Sequence, residues 1–322
     1  MASIIVRKHG GPEQLVLVDE PDRDPGGGEV AVRVAAAGVN FIDIYQRSGA
    51  YPMQLPFVAG SEAAGTVEAV GEGVTDLSVG DHVAWATVRG SGYCERAVVP
   101  ADQAVPVPDG VSDEIAAAVL LQGMTAHYLS DATYAVRPGD VTLVHAGAGG
   151  VGLLLSQMIV HRGGRVISTA SSPEKAELSR AAGADDVLGY DRFAAGVREL
   201  TDGQGVAVVY DGVGQATFEG SLDSLAPRGV LVLFGASSGP VPPLDPQVLN
   251  AKGSLFLTRP TLAHYTADRA ELLRRAGDVL DGVARGWLDV RIGGRYPLAE
   301  AGRAHEDLAA RRTTGKLLLI PG

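Results

Sequence analysis

The chain has 322 residues, which is enough for about two domains with cores of their own. Hydrophobic residues make up 46% and charged residues 20%, an ordinary balance for a soluble globular protein. The net charge of −11, from 27 basic and 38 acidic residues, gives no overall electrostatic footprint for nucleic acid, and no nucleic-acid partner is expected.

The opening residues, MASIIVRK, lack the long apolar run of a secretory signal, so a cytoplasmic location is expected. Short runs at 29–34, 65–70 and 81–86, punctuated by Gly and Pro, predict an all-β, barrel-like unit in the N-terminal part of the chain. Its Cys94 is the one cysteine of the sequence and rules out both an internal disulfide and a thiolate metal cage. The seven histidines show no HExxH and no helical i,i+4 pair, so no bound metal is expected. With no activating partner in view, Cys94 reads as a structural small residue.

From 141 the pattern changes. Strands are predicted at 141–146, 165–170, 186–190, 206–211, 230–234 and 254–259, with helices near 150–162, 173–182, 193–201, 215–225 and 245–251. Such alternation implies a parallel sheet covered on both faces, the doubly wound Rossmann arrangement of an α/β protein. The stretch 141–160 is apolar enough to look membrane-like. Its glycines, His145, Ser156 and Gln157 instead favour a buried strand followed by a helix, and no membrane association is expected. The last 60 or so residues add a helix near 268–285, a strand near 287–292, a helix near 299–310 and a final strand at 316–320. They are too few to stand alone and are expected to complete the first domain.

The first Rossmann turn reads Gly147-x-Gly149-x-x-Gly152. The first glycine allows a tight turn, the second lets backbone approach phosphates, and the third lets helix and strand pack closely. Pyrophosphate would sit on Gly149, Gly150 and Val151 at the positive end of the following helix. The end of the second strand then decides the dinucleotide. A carboxylate there would favour NADH, but the sequence has Ser171, Ser172 and, one helical turn on, Lys175, with Glu174 as the exception. Tyr190, ending the third strand, supplies another hydroxyl. This set favours NADPH, with Lys175 as a plain solvated helix charge the alternative.

Several motifs outside the turn carry a family resemblance: GVNFIDIYQRSG at 38–49, GSEAAG at 60–65, QGMTA at 122–126 and AGAGGVG at 146–152. VYDGVG at 209–214, FGASSG at 234–239, KGSLFLTRP at 252–260 and TGKL at 314–317 add to it. Together they resemble the medium-chain dehydrogenase/reductase superfamily, and within it the zinc-free quinone oxidoreductase branch that includes the zeta-crystallins. The resemblance implies a GroES-like catalytic domain over 1–121 and 262–322 and a Rossmann domain over 122–261. It places Asn40 and Ser61 where zinc-dependent relatives carry zinc ligands. An electron-poor acceptor can take hydride without a Lewis acid, whereas a plain alcohol depends on one.

Residue roles are likewise implied by the resemblance. Asn40, Asp43, Tyr45 and Tyr51 would line the cleft near the nicotinamide, and Asn40 would also touch the cofactor. Thr125, starting the linker helix, would contact the nicotinamide end. Gly147 and its neighbours would hold pyrophosphate, while Ser171, Ser172, Lys175 and Tyr190 would hold the 2′-phosphate. Val213, Phe234, Ser237, Ser238, Leu257 and Arg259 would close over the rest, with Ala236 lacking the polar side chain common in relatives. Tyr45 and Tyr51 also read as ordinary packing tyrosines, and Asp43 as a residue that orients neighbours. Lys316 reads either as a cofactor contact or as a surface lysine. Arg259, closing what reads as a buried strand, calls for an anionic partner.

The expected activity is NADPH-dependent reduction of a quinone, with a zinc-free enone or enoyl reductase as the alternative. The resemblance also implies a homodimer formed through the strand near 254–259, an edge that bare exposure would leave prone to aggregation.

Overall fold

The computed structural model describes all residues, 1–322. The chain packs as two units: Met1–Met124 together with Thr266–Gly322, and Thr125–Tyr265.

The first unit is built around a long strand. β1 (Ala2–Val6), β2 (Val16–Asp19), β3 (Glu29–Val39), β4 (Phe57–Val58), β5 (Ala63–Val70), β6 (His82–Trp85), β7 (Arg96–Pro100) and β8 (Val105–Pro106) precede the second unit. α1 (Phe41–Ser48) leaves the end of β3. After the second unit this one resumes with the helix Arg269–Ala284, the strands Ile292–Pro297 and Lys316–Ile320, and the helix Ala301–Ala309 between them. β3 pairs antiparallel with β5, β7 and the final strand, whose Leu317 and Leu319 lie opposite Val39 and Ala37. The last residues of the chain therefore complete the sheet begun by its first forty. β2, β1 and β4 form a separate three-stranded sheet. Trp85, Tyr93, Val32, Val83 and Leu319 are fully buried in the shared core.

α2 (Asp113–Tyr128) runs continuously into the second unit, so Thr125 lies in its last turn and does not start a helix. Gly123 lies inside this helix. In the structure it is an approach point: a Cβ there would lie 2.6 Å from Val279 Cγ1, so glycine lets the two helices come together without ending either.

The second unit contains β9 (Val141–Val144), β10 (Arg165–Thr169), β11 (Asp186–Leu188), β12 (Val206–Asp211), β13 (Leu225–Leu233) and β14 (Phe256–Thr258). They form one parallel sheet in the order β11-β10-β9-β12-β13-β14. Its helices are α3 (Gly150–His161), α4 (Pro173–Ala181), α5 (Phe193–Leu200), α6 (Phe218–Ser224), α7 (Gln247–Ala251) and α8 (Leu262–Tyr265). The strand order reverses between β9 and β12, which is where ligands bind in open sheets of this kind, beyond the carboxyl ends of the strands. Leu143, Ile167, Val209 and Leu231 fill the interior. No helix is long and apolar enough to cross a membrane.

Three expectations are corrected. The strand expected near 287–292 lies later, as β15 (Ile292–Pro297), which pairs in parallel with β16 (Lys316–Ile320). Trp287 and Leu288 instead cap α9 (Arg269–Ala284), both donating backbone N–H to the carbonyl of Gly282. Residues 287–291 thus close α9 and run irregularly into β15, which precedes α10 (Ala301–Ala309). The strand expected at 230–234 begins earlier, at Leu225, despite Pro227 and Gly229, because it pairs with β12 from Val206 onward with a register shift. The segment 254–259 is an edge rather than a buried strand: Phe256 is 61% and Leu257 36% exposed.

Candidate functional site

Because all six strands of the second unit run parallel, the residues that follow them share one edge of the sheet. The glycine turn after β9, Ser171 and Ser172 after β10, Tyr190 after β11, Val213 after β12, Phe234, Ser237 and Ser238 after β13, and Arg259 after β14 all lie at the carboxyl ends. Leu257 lies within β14 itself.

The turn is tight. Gly147 N–H donates to Thr169 O at 2.9 Å, and Gly149 N–H to Ala146 O at 2.8 Å. A Cβ on Gly147 would meet Ser179 Oγ at 2.3 Å, and one on Gly152 would meet the Ala146 carbonyl oxygen at 2.3 Å. Gly149 caps α3 with no side-chain acceptor, and Gly149, Gly150 and Val151 are only half-buried. The N–H groups at the positive end of α3 therefore face outward without a side-chain cap, and they fit a pyrophosphate.

At the end of β10, Ser171 is exposed and Lys175 is half-buried in the first turn of α4. Ser172 is already engaged within the chain, capping α4 with its Oγ, which accepts the Lys175 N–H at 3.3 Å. Its hydroxyl also bonds the Glu174 carboxylate, which lowers the Glu174 pKa. No carboxylate follows β10 directly, and Ser171 with Lys175 fits a phosphate. Ser238 is similarly occupied, donating to Val213 O at 2.8 Å and accepting from Ala216 N at 3.0 Å. The Phe234 ring lies over Gly212, where a Cβ would come within 2.8 Å of it. Arg259 is exposed rather than closing a buried strand, because β14 forms the outer edge of the sheet.

In the first unit, α1 and its flanking residues separate the four residues expected to act together into two groups. Asn40 and Asp43 are 4% and 2% exposed. Asn40 Nδ2 donates to Glu62 Oε2 at 2.8 Å, and its Oδ1 accepts from Lys316 Nζ at 2.7 Å. Lys316, 1% exposed, also pairs with Glu62, which is fully buried and accepts the Leu121 N–H. The surface alternative for Lys316 is excluded, because β16 lies inside the sheet between β15 and β3.

Asp43 accepts the Asn40 N–H at 2.8 Å and the Tyr93 hydroxyl at 2.9 Å, both on Oδ2, while Oδ1 is buried without a partner. Burial pushes its pKa up to about 7. Tyr93 also contacts His305 Nε2 at 2.9 Å, and His305 Nδ1 contacts Arg47 Nη1 at 3.2 Å. Arginine only donates, which leaves His305 Nδ1 as acceptor and puts the ring proton on Nε2. The hydrogen bonds therefore run in one direction, from Arg47 through His305 and Tyr93 to Asp43. Burial holds His305 down to about 3, so it stays neutral.

Tyr45 and Tyr51 belong to a different surface, an aromatic row. Phe41 and Tyr45 have centroids 6.2 Å apart, and Tyr45 and Tyr51 are 5.2 Å apart, with Tyr51 42% exposed. Sequence reasoning missed Arg47, Glu62, Tyr93 and His305, whose partners lie up to 258 residues away. It also missed His145, Thr169 and Asp211. Their one visible signal is a polar residue at the end of each of three predicted strands. No group of three or more His, Cys, Asp or Glu side chains is placed to hold a metal ion.

Residues 26–109 match the alcohol dehydrogenase GroES-like domain, and residues 150–274 match the zinc-binding dehydrogenase family. A quinone oxidoreductase of Pseudomonas aeruginosa is 50% identical over 317 residues, 97% of each chain. A 2-haloacrylate reductase of a Burkholderia species is 40% identical over 326 residues, 98% of each chain. Among solved structures, a mycobacterial protein complexed with NADPH superposes with a TM-score of 0.97 at 55% identity, covering 100% of both chains.

Proposed function

Because the chain belongs to the quinone oxidoreductase branch of the medium-chain dehydrogenase/reductase superfamily, we propose that it reduces quinones with NADPH. The observation that carries this reading is the 50% identity to a quinone oxidoreductase over 97% of the chain. The uncapped start of α3 and the acid-free end of β10 support the choice of cofactor.

When bound, NADPH supplies the hydride, the hard part of the chemistry. This chain's residues bind and orient. Gly150 and Val151 offer backbone N–H groups to the pyrophosphate, and Gly149, whose own N–H goes to Ala146 O, lets the backbone approach it closely. Ser171 and Lys175 take the 2′-phosphate, with Tyr190 beside them. Val213, Phe234 and Ser237 shape the carboxyl edge around the remainder, joined by Gly147, Thr125, Leu257 and Arg259. Tyr45 and Tyr51 offer flat aromatic surface to a flat acceptor. Asn40, held from both sides by Lys316 and Glu62, presents a fixed amide. Asp43 is engaged inside the first unit by the Asn40 N–H and the Tyr93 hydroxyl, so water supplies the one proton that, with the hydride, converts the quinone to the hydroquinone while NADPH leaves as NADP⁺. A quinone is electron-poor enough to react this way without a metal, so treatment with a chelator is expected to leave the rate unchanged.

A second reading is reduction of an electron-poor alkene. The 40% identity to a 2-haloacrylate reductase favours it. A panel of quinones against unsaturated thioesters and acrylates, with purified protein and NADPH, separates the two. The chain also assembles as a homodimer through β14, whose exposed Phe256 and Leu257 gain cover when two edge strands pair.

A further inference from the structure

A closed set of polar side chains lies beneath the point where the sheet order reverses. Asp211, at the end of β12, is fully buried and accepts from four residues. Val213 N–H and Gly214 N–H reach its Oδ1 at 2.8 and 2.9 Å, the Thr217 hydroxyl reaches both oxygens, and the Ser221 hydroxyl reaches Oδ2 at 2.8 Å. Since the Ser221 proton goes to Asp211, Ser221 Oγ must accept from His145 Nε2, 3.0 Å away. A neutral ring with its proton on Nε2 accepts at Nδ1, where Thr169 Oγ1 lies at 3.0 Å. The Thr169 oxygen in turn accepts the Ala146 N–H at 3.2 Å. Along the run from Ser221 through His145 to Thr169, each proton has one place to go. Burial lowers the His145 pKa to about 4, which keeps the ring in the neutral form that this order of donors requires.

Both ends of the network are loops assigned to the cofactor. Asp211 fixes the loop bearing Val213. Thr169 fixes Ala146, the residue in the glycine turn that has a left-handed backbone, φ +54°, without being glycine. The Ala146 carbonyl accepts the Gly149 N–H, and it is the atom that a Cβ on Gly152 would strike. Ala146 is therefore the hinge on which the uncapped start of α3 is set.

We infer that Asp211, acting through Ser221, His145 and Thr169, is a positioning residue that locks the glycine turn and the β12–α6 loop into one geometry for the dinucleotide. This rests on the reading of the glycine turn as the NADPH site. The locked turn holds its N–H groups in place before the cofactor arrives, so the network lowers the cost of binding and leaves the hydride step alone.

The test is NADPH titration by fluorescence, with steady-state kinetics, on the wild type and Thr169→Val, Thr169→Ser and Ser221→Ala variants. Valine keeps the shape of threonine but strands the Ala146 N–H and His145 Nδ1. Loss of these two buried hydrogen bonds then weakens NADPH binding about tenfold or more. The rise appears in Kd and KM, with a smaller change in kcat. Serine restores the hydroxyl and most of the affinity. Where the valine variant does not fold, Ser221→Ala carries the test, since it leaves Asp211 its other donors. Folded Thr169→Val or Ser221→Ala protein that binds NADPH like the wild type overturns the inference, as does a serine variant as weak as the valine one. A wild type that binds no NADPH overturns the cofactor reading first, and this inference with it.

Discussion

Lys316 Nζ donates to Asn40 Oδ1 across 2.7 Å, joining the last strand of the chain to the start of α1. The same ammonium pairs with Glu62 in a site where all three residues are at most 4% exposed. A buried pair contributes little net stability when intact, but breaking it leaves a charge without compensation. Lys316→Met therefore lowers the unfolding free energy by about 3–5 kcal/mol in urea titrations. Adding Glu62→Gln recovers a large part of that loss. Additive losses would mean the two charges do not compensate each other.

Asp43 sets a pH dependence. Its carboxyl titrates near 7 in the folded chain against an ordinary 3.8, because burial disfavours the charge. Between those values the folded state holds a proton that the unfolded state has lost, so this group makes stability fall as pH rises towards 7. Asp43→Asn keeps an oxygen for the Asn40 N–H and the Tyr93 hydroxyl but does not titrate. Relative to the wild type, the variant gains up to about 1.4 kcal/mol per pH unit across that window and nothing further above it. His145 and His305, lowered to about 4 and 3, act in the opposite sense, costing stability as pH falls below 6.5. Parallel stability profiles for the two proteins from pH 4 to 8 would contradict the assignment.

The proposed 2′-phosphate site makes Lys175 the residue that tests the choice of nicotinamide cofactor. Replacing it with alanine removes a cation from the proposed 2′-phosphate site and raises KM for NADPH about tenfold or more, while KM for NADH changes little. Equal effects on the two cofactors would place the 2′-phosphate elsewhere.

The β14 edge predicts an assembly. Phe256→Glu puts a charge on a side chain that is 61% exposed in the single chain, at the centre of the proposed strand pairing. Sedimentation equilibrium should give a dimer for the wild type and a monomer for the variant. A monomeric wild type rejects the pairing.

The second unit was readable because each of its elements is set locally. Apolar runs such as 141–144 and 206–211, broken by Gly and Ser turns, state strand, turn and helix within a few residues of one another. The first unit yielded less. β3 is completed by a strand nearly 280 residues later, and the pairing of Leu317 with Val39 leaves no local trace. The buried polar groups were the hardest of all. Asp43, Gln46 and Arg47 look like the solvent face of a short helix, but Asp43 and Arg47 are buried against partners from distant segments, Tyr93 for Asp43 and His305 and the Gly10 carbonyl for Arg47. Ser172 reads in the sequence as a phosphate ligand, whereas the structure engages it as the cap of α4, a role set by backbone geometry that composition does not carry.

The central claim is that this chain passes hydride from NADPH to a quinone. The most direct measurement is kcat/KM of the purified protein for a series of ortho- and para-quinones with NADPH, beside NADH and beside enoyl thioesters under the same conditions. NADPH oxidation should depend on added quinone, run faster with NADPH than with NADH, and exceed turnover of the thioesters. Inertness towards every quinone, with robust thioester turnover, would contradict it.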